Sequence, residues 1–236
     1  MEKDNLRILS PSEVNKTKRD VKGEEYLEIL KKVEKIVLHQ KSFIIEEGIK
    51  GFIFYGDVGL GKTMLSKVLA YDLGWRLIFV DGSDIARPEY GESESQISKI
   101  FSKAKSNSIQ PAVILIDDCE SVFPTRDWMK GESWHVAQNN VFFHELDNLD
   151  TSKNTVILTT NRYDLVDKAV KDRLQNIEFP KPDKKALKEI AEIKMDKLKM
   201  KNGDKVFDEI EKGNFESVRD LEKFITEKYI EEVSKE

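Results

Sequence analysis

Apolar residues between positions 24 and 45 recur at helical spacing: Tyr26, Ile29, Leu30, Val33, Ile36 and Val37. That period predicts an amphipathic helix with one buried stripe. The pattern then changes. Short apolar runs occupy 52–55, 77–80, 113–116, 156–159 and 177–179. Each has strand length and little polar alternation, which predicts strands buried on both faces. Helical patterns fall between them, at 64–73, 94–104 and 136–149. Strands alternating with helices predict an α/β body built on a parallel sheet flanked by helices. Ligands on such sheets bind at the carboxyl ends of the strands. After Pro180-Lys181-Pro182 the strand pattern stops, and helical patterns run over 184–200 and 217–233, with Gly203 and Gly213 punctuating the interval. Three segments are expected: a loose polar lead-in over 1–19, the α/β body over 20–180, and a small all-helical lid over 181–236.

Composition narrows the class. The chain has 236 residues, 39% hydrophobic and 35% charged, enough for a sizeable core and a soluble surface. The charged share exceeds the usual quarter, a composition seen in heat-adapted ion-pair networks. The net charge of -5 is interspersed, which argues against a nucleic-acid-binding face spread over the whole chain. A single cysteine, Cys119, excludes an internal disulfide and suits a reducing, cytoplasmic setting. It lies between Asp118 and Glu120, whose charges disfavour a thiolate, so it reads as packing. His39, His135 and His144 have no metal-site spacing. No apolar run reaches membrane-spanning length, and Met1-Glu2-Lys3-Asp4 lacks a signal-peptide core.

The chemistry is concentrated after the first predicted strand. Gly56-Asp57-Val58-Gly59-Leu60-Gly61-Lys62-Thr63 fits G-x-x-x-x-G-K-[ST], a phosphate-binding loop, and it lies between a strand and a helix as that loop must. Glycines let the backbone wrap a phosphate with its N–H groups inward, and the helix N-terminus adds partial positive charge. Lys62 is placed to reach the β- and γ-phosphates, and the Thr63 hydroxyl to hold Mg²⁺. A second motif, Val113-Ile114-Leu115-Ile116-Asp117-Asp118, is a buried strand ending in two acids. It fits a Walker B motif: Asp117 serves the Mg²⁺ shell and Asp118 orients and activates the attacking water.

With these motifs in order, the chain from Asp20 onward resembles the AAA+ ATPase family. Asp20-Val21-Lys22-Gly23 is similar to the segment near the adenine, and Gly48-Ile49-Lys50-Gly51 leads into the first strand as in that family. Gly91-Glu92-Ser93-Glu94 resembles the G-E-S-E after the central-pore loop, where Tyr90 and Gly91 would contact substrate. Thr159-Thr160-Asn161-Arg162-Tyr163-Asp164 places Asn161 as sensor 1. Asp167-Lys168-Ala169-Val170 followed by Arg173 resembles the stretch ending in an arginine finger, and Arg219 in 215–221 resembles sensor 2. The resemblance implies ATP/ADP and Mg²⁺ as ligands. The nucleotide would be held by Asp20, Val21, Gly23, Asp57, Val58, Gly59, Leu60, Gly61, Lys62, Thr63 and Met64. It implies catalysis by Lys62, Asp118, Asn161, Arg173 and Arg219, in a ring of six copies completing one another's sites.

The chain also departs from that family. Asp118 stands where many members carry Glu, which allows slow hydrolysis. Arg173 is a single arginine where many have two, and Glu89 takes the position where substrate-threading members place an aromatic. Trp128 and Trp134 in 123–134 either dock a partner or pack on a helix. Three functions fit. The leading one is an ATP-driven remodeller of a protein substrate, directed by loops or an adaptor. The second is a DNA-transaction ATPase similar to clamp or helicase loaders, which the acidic charge disfavours. The third is a slowly hydrolysing, nucleotide-gated assembly switch.

Overall fold

The computed structural model describes residues 6–86, 91–125, 134–200 and 203–234. Its elements in chain order are β1 (Arg7–Leu9), α1 (Glu24–Ser42), β2 (Gly51–Tyr55), α2 (Lys62–Leu73), β3 (Arg76–Asp81), α3 (Gly82–Ile85), α4 (Glu92–Ala104), β4 (Ala112–Asp117), α5 (Trp134–Asp147), β5 (Asn154–Thr160), α6 (Lys168–Arg173), β6 (Gln175–Glu178), α7 (Lys184–Leu198), α8 (Asp204–Lys212) and α9 (Val218–Val233). The sheet runs β1-β3-β4-β5-β2-β6. From β3 to β6 every pairing is parallel. This is the expected α/β architecture.

One edge corrects the all-parallel expectation. Arg7–Leu9 pairs antiparallel with β3, Ile8 opposite Ile78. The polar lead-in is therefore not loose here. Single-turn 3-10 helices at Pro11–Glu13 and Lys18–Asp20 continue it, and Val14 between them is buried. A three-residue strand is too short to show a period, and its backbone pairing depends on a distant partner. Its shortness also blunts the sheet edge.

Alternation across the sheet builds two cores. In β2, Ile53 faces one and Phe52 and Phe54 face the other, because successive strand side chains point to opposite faces. Helices α4 and α5 cover the first core with Ile97, Ile100, Phe101, Phe142 and Leu146. Helices α1 and α2 cover the second with Leu30, Val33, Val37, Leu65, Val68 and Leu69. Cys119 is fully buried in the first core, just past β4. Helix α1 ends at Ser42, short of the expected 45, and Ile44 adopts a left-handed φ of 53°. Phe43, Ile44 and Ile45 extend the apolar run but are exposed.

Helices α7, α8 and α9 enclose a third cluster of Leu187, Ala191, Met195, Val206, Ile210, Leu221 and Ile225. Each long helix has a side-chain cap: Asp183 accepts from Ala186 N at 2.7 Å, and Ser217 Oγ accepts from Asp220 N at 3.2 Å. Such caps satisfy amides that the helix itself leaves unpaired. The Tyr26 hydroxyl donates to Pro180 O at 2.6 Å, tying α1 to the start of the chain that leads into these helices. Among the described residues no helix is long and apolar enough to cross a membrane.

Candidate nucleotide site

The sheet order places the ends of β4, β5 and β2 side by side. Asp117, Asn161 and the loop after Tyr55 therefore meet, although they are far apart in sequence. The loop depends on backbone shapes that favour glycine: Gly59 and Gly61 have φ of 81° and 84°. A Cβ on Gly59 would lie 2.7 Å from Arg219 Cβ, so the loop and α9 approach each other closely at that point. Gly61 then caps α2, and Lys62 is its first residue.

Lys62 is only 6% exposed. Its Nζ donates to Gly56 O at 2.8 Å, Asp57 O at 2.7 Å and Asn161 Oδ1 at 2.7 Å. Burial pulls its pKa below the ordinary lysine value, against the opposing pull of Asp118 and Asp117. The Thr63 hydroxyl donates to Asp117 Oδ1 at 2.7 Å, and the Thr159 hydroxyl donates to the same oxygen. Asp118 sits in a left-handed conformation with φ 51°. Its Oδ1 accepts from Asn161 Nδ2 at 3.0 Å. Burial, and then the charges of Asp117, Glu120 and Asp81, raise the Asp118 pKa from its ordinary value. Asn161 thus uses both ends of its amide, oxygen to Lys62 and nitrogen to Asp118.

These groups open onto a cavity of about 490 Å³, within the range of small-molecule sites. Asp20, Val21, Gly59, Leu60, Gly61, Lys62, Thr63, Met64, Asp117, Asp118, Asn161 and Arg219 all line it. Sequence reasoning missed the opposite wall, where Ile190 and Ile193 stand beside Lys194 and Lys197 of α7. It also gave Thr159 no role of its own, because the acid it bonds, Asp117, is distant in sequence. Asp20 lines the cavity, but its carboxylate accepts from Thr17 N at 2.9 Å and Thr17 Oγ1 at 3.2 Å, and these bonds lower its pKa.

Other expected residues lie off this wall. Gly23 caps α1 and packs toward Tyr26 and Ala186. Val58 is 49% exposed. Asp57 faces Lys181 at 3.9 Å, and Lys181 also pairs with Glu216 at 2.8 Å. Arg173 ends α6 with its guanidinium 4.0 Å from the Phe143 ring centroid. On the same helix Lys171 lies 4.4 Å over Tyr163, which stacks on Tyr55 at 4.1 Å. Gly91 caps α4, while Tyr90 and Trp128 lie outside the described residues.

The donor set suits a magnesium nucleotide. A threonine hydroxyl and paired carboxylates are hard oxygen donors. Mg²⁺ commonly uses one or two such groups together with substrate phosphates rather than a full protein cage. Among the described residues no group of three or more His, Cys, Asp or Glu forms a cage by itself.

Comparison with known proteins shows the family. The family model for "ATPase family associated with various cellular activities (AAA)" matches residues 52–181. The chain is 33% identical over 226 residues to a proteasome-activating nucleotidase of Pyrococcus abyssi, covering 90% of this chain and 56% of that protein. It is 32% identical over 184 residues to the 26S proteasome regulatory subunit 8 homolog of Saccharomyces cerevisiae, covering 75% of this chain and 45% of that protein. It is 36% identical over 157 residues to a cell division cycle protein 48 homolog of Archaeoglobus fulgidus, covering 63% of this chain and 20% of that protein. The chain thus spans from 20% to 56% of the length of these curated relatives.

Proposed function

This chain belongs to the AAA family of ATPases, and on that premise we propose that it hydrolyses ATP at interfaces between copies of itself to remodel a protein substrate. The observation that carries the reading is the hydrogen-bonded chain Lys62–Asn161–Asp118 beside the Thr63–Asp117 pair at one cavity. Lys62 and the amides of 59–63 hold the β- and γ-phosphates. Thr63 and Asp117 hold Mg²⁺, which when bound draws negative charge off the phosphate oxygens. Asp118 accepts a proton from the attacking water as its oxygen bonds to the γ-phosphorus and the bond to ADP breaks. Asn161 orients that water. Arg219 closes the site from the helical lid of 181–236, and Arg173 serves a neighbour's site from a ring of six. Tyr90 and Gly91 act on the substrate, an adaptor supplies specificity, and the setting is cytoplasmic.

Arg219 on the cavity wall also supports the second reading, a loader-like ATPase acting in DNA transactions. Hydrolysis stimulated by DNA in a salt-sensitive way would favour it. The first test is ATP turnover per subunit, with Mg²⁺, across a wide range of protein concentration. Turnover is expected to climb steeply with concentration, because a neighbour completes the site. A finite rate in a protein shown to be monomeric by its sedimentation would remove the interface.

A further inference from the structure

Arg173 is exposed, yet it is not free to wander. An arginine side chain carries much rotamer freedom, so an unrestrained finger would meet its target only part of the time. Here the guanidinium rests 4.0 Å from the Phe143 ring centroid, and Nη1 donates to Ala169 O at 3.3 Å within the same helix. Phe143 is half-buried on α5, and the neighbouring Phe142 is fully buried against Phe123 and Phe101 at ring distances of 4.4 and 5.9 Å. The platform is therefore anchored in the core. The other cation of this turn, Lys171, stands over Tyr163. Two aromatic faces from different elements thus grip a helix of six residues.

The type of contact matters. A guanidinium donates hydrogen bonds only in its own plane. An ion pair with a carboxylate would occupy those donors. A ring face holds the guanidinium by a cation–π contact without an ion pair taking up its donors. No ion pair of Arg173 occurs among the described residues.

We propose that Phe143 is a positioning residue for hydrolysis, a cation–π platform that holds the Arg173 guanidinium in place so that its free donors meet the γ-phosphate of a neighbouring copy. This rests on the reading of Arg173 as a finger acting in trans. The test compares wild type with Phe143→Leu, Phe143→Met, Phe143→Tyr, Arg173→Ala and the Phe143→Leu/Arg173→Ala double variant. Turnover of the assembled protein, affinity for a fluorescent ATP analogue and melting temperature are measured for each. Leu and Met keep an apolar side chain without a ring, so either suffices if the other fails to fold.

Phe143→Leu is expected to lower kcat by about two- to fivefold, the usual weight of an exposed cation–π contact, with KM and nucleotide affinity unchanged. Phe143→Tyr restores the ring face and most of the rate. Arg173→Ala alone is expected to cost about a thousandfold or more, and adding Phe143→Leu to it costs nothing further. An unchanged kcat in the ring-less variants overturns the platform, as does an equal loss in the Arg173→Ala background. Normal turnover in Arg173→Ala removes the finger itself, a result distinct from a failure of Phe143 alone.

Discussion

Asp118 explains itself through its backbone. Its φ of 51° lies in the left-handed region, where Asp and Asn are enriched and longer side chains are disfavoured. The shorter acid therefore fits the turn that β4 makes, although a glutamate would reach further. Asp118→Glu is expected to raise kcat while lowering stability by about 1 kcal/mol. An unchanged or lower kcat would remove reach as the limiting feature. Asp118→Asn should keep nucleotide affinity, because its amide oxygen can still accept from Asn161. Turnover should fall by about 10²–10⁴, as loss of a general base does. At this scale much of the site was legible. Lys62, Thr63, Asp117 and Asn161 fall within motifs whose spacing reflects their joint task. Thr159 and Phe143 were not, because their partners Asp117 and Arg173 are close in space and distant in sequence.

At the scale of elements, periodicity located each long helix and each of the five parallel strands. It failed where an element is short or depends on tertiary contact. β1 has three residues and exists through pairing with β3. α8 has nine residues between glycines and buries only Val206 and Ile210. The apolar run past Ser42 continues the helical pattern, but the left-handed Ile44 ends the helix. The contact of α1 with Pro180 gives a pH dependence of known sign. Tyr26 is 6% exposed, and burial pushes its hydroxyl up from 10.0 to about 12. Because the folded-state pKa is raised, stability from the neutral phenol is full below about pH 10 and is lost between about pH 10 and 12. Tyr26→Phe is expected to flatten this part of the stability–pH curve. A chemical-denaturation series at rising pH measures it, and an unchanged slope would remove Tyr26 as its source.

For the whole molecule, two of the three packed clusters reach the cavity: Val21, Tyr26 and Leu60 of the second line it, as does Ile190, which packs on the third. A Cβ on Gly59 would lie within 3.2 Å of Ser217 and Arg219 side-chain atoms, so the loop and the start of the last helix are in close contact. The single thiol lies beneath this arrangement. Cys119 is 0% exposed, directly after Asp117 and Asp118, and burial holds its pKa well above the ordinary thiol value. A thiol reagent can reach it only when the core beside β4 opens. Its labelling rate is therefore a clock for that opening. Magnesium and ATP are expected to slow the clock in the wild type by mass action and leave it unchanged in Lys62→Ala. Any cysteine placed elsewhere on the surface would be labelled against a nearly silent background.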